Sequence, residues 1–169
     1  MKLITAVLLF LNLIISTPIE SMQYNQVITR NKMTISWSYI NDRIFIEMSA
    51  PTEGWIAIGF NTQISISNTY LIMGVIDSNN KVVVQEHYVI SPGNYKSFEA
   101  LGAKISVKNI EGERHQHVTR LRFSLPIEAI GNYKRSLEQG AGYILTMAYS
   151  LEKDFQHHSI MRTSAKIKL

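Results

Sequence analysis

From residue 23 onward, apolar and polar positions alternate with a period of two and seldom with the 3.6-residue period of a helix. Met33, Ile35, Trp37 and Tyr39 alternate with Thr34, Ser36 and Ser38, which predicts a strand with one apolar face. Asn41-Asp42 turns the chain, and Ile44, Ile46 and Met48 carry it back as a hairpin. Pro51-Thr52-Glu53-Gly54 is the next turn and feeds the short apolar strand Trp55-Ile56-Ala57-Ile58-Gly59-Phe60. Gly59, near its end, is a position where no side chain blocks another backbone or a flat ligand. Residues 61–68 then read as a polar loop interrupted by Ile64 and Ile66. Exposed loops seldom need two isoleucines so close together, so the pair is expected in the core or against a bound group.

Further strands are expected over residues 70–76 and 81–89, joined by the turn Asp77-Ser78-Asn79-Asn80. An irregular section over residues 91–102 separates them from a second hairpin, with strands over 104–110 and 118–125 and a turn at Glu111-Gly112-Glu113. A short helical turn is expected within residues 127–139, then strands over 143–149 and 164–169. About nine strands with turns between them and almost no helix predict an all-β fold, an antiparallel β-sandwich.

Composition changes this picture at one end. Residues 3–15 form an apolar run of thirteen behind Met1-Lys2, too short to span a bilayer comfortably and of the length of a signal-peptide core. We therefore expect residues 1–21 to be a signal peptide and residues 22–169 to be one exported domain, periplasmic or extracellular, with no stable membrane span after the leader is removed. A buried first helix is the other reading of the same run. With no cysteine, the chain cannot use disulfides, thiolate metal sites or Cys-x-x-Cys-His haem attachment. A net charge of +4 without any Lys/Arg block or basic-aromatic interleaving gives no reason to expect a nucleic-acid partner.

The chemistry-bearing residues are few. There is no Gly-x-Ser-x-Gly elbow, phosphate-binding glycine loop or His-Glu-x-x-His motif, so no catalytic apparatus of its own is expected. The five histidines fall into three groups. His115 and His117, two apart, would share a strand face and could bracket a metal. His87, late in a valine-rich strand, reads as a satisfied structural histidine. His157-His158 stand in the loop before the last strand, where one ring can enter a pocket while the other orients it or meets water.

Gly54-Trp55-Ile56-Ala57-Ile58-Gly59-Phe60, Leu71-Ile72-Met73-Gly74-Val75, residues 82–88, Ala148-Tyr149 and His158-Ser159-Ile160-Met161-Arg162 together resemble a DOMON domain. The resemblance runs over residues 33–169 and is nearest to small exported bacterial members that consist of this domain alone. It implies an immunoglobulin-like β-sandwich with a pocket at one end. Many cytochrome members hold a b-type haem there between a methionine and a histidine, while other members are thought to bind sugars or other ligands. The histidine carries over onto His158, four residues before Arg162, with His157 as the alternative. The family's loop methionine falls at about Ile66, which cannot ligate iron. Met73 is the nearest methionine, and Met161 is a poorer substitute.

If haem b is bound by His158 and Met73, the resemblance implies an electron-transfer module with both axial positions filled. Trp55, Phe60, Ile64, Ile66 and Tyr70 would supply apolar walls, and Arg162 would neutralise a propionate. Such a module would need a redox partner, a dehydrogenase or a membrane cytochrome. The alternative function is a cofactor-free module binding a sugar or other small molecule, and a third is an adhesion domain.

Overall fold

The computed structural model describes residues 22–169; the expected leader at residues 1–21 lies outside the described residues. The described residues form eleven strands: β1 (Gln26–Arg30), β2 (Met33–Ile40), β3 (Arg43–Ala50), β4 (Ile56–Asn61), β5 (Tyr70–Ile76), β6 (Val82–Ser91), β7 (Asn94–Ser97), β8 (Lys108–His115), β9 (Val118–Pro126), β10 (Gly142–Tyr149) and β11 (Met161–Lys168). They build two antiparallel sheets, one in the order β1-β2-β3-β9-β8 and the other in the order β11-β10-β4-β5-β6-β7. The fold is the expected all-β sandwich.

The alternation read from the sequence fixes which residues meet between the sheets. Ile35, Trp37, Ile44, Ile46, Met48, Leu121, Phe123 and Leu125 come from the first sheet, and Ile56, Ile58, Phe60, Tyr70, Ile72, Leu145 and Met147 from the second. Tyr70, fully buried, stacks near Phe60 and Phe98 and donates its hydroxyl to Glu86 at 2.5 Å. That buried carboxylate also accepts from the Ser106 hydroxyl at 2.6 Å and from the Ser106 and Val107 amides at 2.5 and 2.9 Å. Burial and the adjacent carboxylate push the Tyr70 phenol well above its ordinary range.

Four expectations need correction. Strands β1 and β7 were not anticipated, because β1 is largely exposed on both faces and β7 is four residues long. The second hairpin turns at Gln116-His117, both at positive φ, and not at Glu111-Gly112-Glu113. Gly112 is a strand residue whose missing Cβ makes room for Leu121 and Val82, 2.6 and 3.0 Å from where that atom would stand. His115 therefore ends β8 while His117 stands in the turn, its Nδ1 2.7 Å from Glu53, so the pair does not bracket a metal. Residues 127–139 form no helical turn: an Ile130–Lys134 bridge closes them, and the buried Lys134 ammonium donates to the carbonyls of Glu128 and Arg135 at 2.6 and 3.0 Å.

Candidate functional site: a cavity on the outer face of the six-stranded sheet

Strand β4 is buried along its whole length, so both of its faces are covered. Ile56, Ile58 and Phe60 point between the sheets, which leaves Ala57 and Gly59 on the outer face. Register then builds two rows across that face. Met73 pairs with Ala57, Ala57 with Ala148, and Ala148 with Arg162. Leu71 pairs with Gly59, Gly59 with Thr146, and Thr146 with Ser164. Ala57 and Ala148 at the middle of the first row make a shallow floor. Trp55, Met73, Val75, Ala57 and Ala148 form a second apolar cluster there, separate from the inter-sheet core.

Residues 151–160 cover this floor as a loop pinned at several points. The Trp55 amide donates to the Glu152 carbonyl and the Ser150 amide to the Trp55 carbonyl, both at 2.9 Å. The buried Ser150 hydroxyl donates to the His158 carbonyl at 2.9 Å and accepts from the Glu152 amide at 3.1 Å. Thr52 donates to the Ser150 carbonyl, and Tyr95 donates to the Phe155 carbonyl. Gly54 is required at the hinge, since a Cβ there would lie 2.4–2.6 Å from backbone atoms of Ser150, Leu151 and Glu152. On the loop, His157 Nδ1 lies 3.4 Å from Asp154 Oδ2, and His158 is exposed.

Between floor and loop lies a cavity of about 160 Å³. Trp55, Ile66, Met73, His157, His158 and Arg162, the residues singled out in the sequence, all line it. Ala57, Leu71, Ala148 and Ser159, which stand in the motif stretches without a role given to them, also line it, together with Val89, Gly93, Tyr95, Thr146 and Gln156. Alternation from Met73 would have found Leu71, and alternation from Ala148 would have found Thr146. No sequence signal marks Tyr95 or Gln156. The cavity opens on the outer face of one sheet and not at an end of the sandwich, because its walls come from outward-facing positions of β4, β5 and β10.

Other expected wall residues lie elsewhere. Phe60 and Tyr70 belong to the inter-sheet core, and Ile64 is 83% exposed, so of the two loop isoleucines only Ile66 reaches the cavity. Met161 packs against the inter-sheet core, which removes it as a substitute ligand. Gly59 is not open to a flat ligand: the position a Cβ would take is 2.6 Å from the Thr69 methyl.

His87 is not the satisfied residue expected. It is 3% exposed, its Nδ1 has no hydrogen-bond partner, and its ring meets Tyr95 and Phe155 edge to face at 5.6 and 5.8 Å. Burial lowers its pKa, because the charged imidazolium loses its water. It lines a neighbouring cleft of about 510 Å³, divided from the first by Tyr95 and Gln156, which line both.

The sequence matches the DOMON domain over residues 29–150. The chain belongs to the DOMON domain family. Strands β2 to β10 of this DOMON domain lie within the match; the segment carrying His157, His158 and Arg162 lies beyond it. Two solved structures share the DOMON fold seen here. The cytochrome b domain of pyranose dehydrogenase from Coprinopsis cinerea has a TM-score of 0.63 at 10% identity, covering 80% of this chain and 76% of its own. The cytochrome domain of Myriococcum thermophilum cellobiose dehydrogenase also has a TM-score of 0.63 at 10% identity, covering 85% of this chain and 81% of its own. No curated protein matches the sequence.

The residues of this DOMON cavity suit a haem in their chemistry. A buried thioether, Met73, stands among apolar side chains, two imidazoles sit on the covering loop, and Arg162 offers a cation for a carboxylate. The Trp55 indole Nε1 is buried without a partner, which leaves one donor in the cavity wall unused. The cavity is smaller than the roughly 300–1,000 Å³ typical of organic ligand sites, so a macrocycle requires residues 151–160 to stand further out.

Proposed function

We propose that this DOMON domain is an exported electron-transfer module that binds haem b, held by Met73 on the sheet and His158 on the covering loop. The observation that carries this reading is the convergence of Met73, His157, His158, Trp55 and Arg162 on one cavity, although they come from three separate parts of the chain. The likeness in fold to cytochrome domains of two dehydrogenases supports the same reading.

The chain's own residues have distinct parts in it. Met73 would supply a soft neutral donor from a central strand, and His158 an imidazole from the covering loop. Ala57 and Ala148 keep the floor low, Trp55 and Leu71 exclude water, and Arg162 pairs with a carboxylate at the open edge. His157, which also lines the cavity with its Nδ1 3.4 Å from Asp154, is the alternative ligand. When bound, haem supplies a one-electron couple, and thioether plus imidazole ligation favours electron transfer over substrate binding at the iron. A redox partner, a dehydrogenase or a membrane cytochrome, would complete the path.

A cofactor-free ligand-binding module is the second reading, favoured by the small cavity volume and by isoleucine at position 66. Haem titration followed by absorbance separates the two. His158→Ala should abolish binding and His157→Ala should weaken it only slightly; equal, undiminished uptake by both variants contradicts the assignment.

A further inference from the structure

The positive charge of the domain is unevenly compensated. On the five-stranded sheet, Arg120 and Arg122 are matched by Glu47 and Glu113 at 2.7–3.4 Å. On β11 the outward positions are Arg162, Ser164, Lys166 and Lys168, all exposed, and none of these three cations has an ion-pair partner among the described residues. Six residues of extended chain separate the first from the last, about 20 Å. The strand is an edge, paired only with β10, and Arg162 at its start lines the cavity.

The two loops that border the cavity carry large apolar side chains turned to solvent: Leu151 at 63% and Ile160 at 59% exposure at the Arg162 end of the sheet, and Ile64 at 83% at the Lys166 end, beyond Asn61. Exposed apolar groups bordered by charge of one sign are the composition of a recognition surface. Lysines on an edge strand also discourage strand-to-strand aggregation, but that role calls for no apolar rim and no alignment with a cavity.

We propose that the β11 stripe and the cavity rim form the docking surface for a partner protein that presents an acidic patch flanked by apolar side chains. The proposal rests on the electron-transfer reading, since docking at this edge brings the partner against the cavity mouth. Unpaired cations steer an acidic partner toward it, and association weakens as salt screens them. Glu152 and Asp154 flank Lys153 on the covering loop, and Arg162, at the start of the β11 row, is the one Lys or Arg among the described residues that lines the cavity.

The test needs no haem. The purified protein, isotopically labelled, is titrated with a hexa-aspartate peptide at low salt and followed by amide NMR. Shifts should concentrate on residues 160–168 and the cavity rim, and Lys166→Glu with Lys168→Glu should weaken binding about fivefold to tenfold. The control Lys104→Glu with Lys108→Glu, with the same change in net charge on another face, should leave it nearly unchanged, and Lys166→Gln with Lys168→Gln guards against misfolding of the first pair. Equal losses in both pairs, shifts spread over other faces, or binding to phosphatidylserine vesicles with no peptide binding would overturn the proposal. A protein that binds the peptide on β11 yet refuses haem would refute the electron-transfer reading and leave the docking surface standing.

Discussion

Met73 and Arg162 occupy one row across the six-stranded sheet, with only Ala57 and Ala148 between them. Three inter-strand steps make that row about 14 Å wide. A thioether at one end, a guanidinium at the other and two methyl groups in the middle form a low platform for a flat, partly anionic ligand.

Filling the platform should separate binding from folding. Ala148→Leu places three further carbons over the floor. We expect ligand uptake to fall by at least about tenfold and stability by roughly 1–3 kcal/mol, the ordinary cost of overpacking. Haem titration and urea unfolding of the same sample check both.

Ser150 holds the covering loop through its bond to the His158 carbonyl. Ser150→Ala removes that donor and the acceptor for the Glu152 amide, for an expected loss of about 1–3 kcal/mol. Amides at residues 152–160 should exchange with solvent faster than in the parent, while those of β4 and β10 keep their protection. Unchanged exchange in the loop would show that its other anchors suffice.

Gly54 and Gly93 make a sharper contrast. At Gly54 a Cβ meets three backbone atoms that cannot rotate away, so Gly54→Ala should cost 3 kcal/mol or more, about the upper end of overpacking. Gly93 has nothing within 4 Å of its Cβ position but a φ of +76°, so Gly93→Ala should cost only about 1 kcal/mol of backbone strain. Chemical unfolding ranks the two.

His87 should make stability depend on pH. Its folded pKa is lowered by burial, while the unfolded chain takes up a proton near the ordinary value of about 6.5. The stability tied to its neutral form is present above that pH and is lost as pH falls through it and on toward the folded pKa. His87→Phe removes both the titration and the unpartnered Nδ1, so its urea midpoint should change less than the parent's between pH 7.5 and 5.5. An identical pH profile would assign the dependence elsewhere.

Most of the sandwich was legible because apolar and polar positions alternate in β2, β3 and β9, the imprint of a half-buried strand. Strand β1 was illegible for the converse reason, since exposure on both faces erases the pattern. Gly112 read as a turn because flanking glutamates and a glycine look alike in a hairpin tip and in a strand packed close to Leu121. The cavity residues were found through the family motif and not through pattern. Periodicity places Met73 on one face of β5, but whether that face meets the core or the covering loop depends on how β4 and β10 pair. The unsatisfied His87 had no signature at all, because an orphaned nitrogen is a property of what Tyr95 and Phe155 leave beside it.

The central claim is tested most directly by the absorption spectrum of the protein produced with haem available, recorded before and after reduction. The spectrum of a six-coordinate b haem, with sharp bands on reduction that are lost in His158→Ala and altered in Met73→Leu, is the expected result. A colourless protein that also refuses added haem would contradict the electron-transfer account and leave the cavity to a smaller ligand.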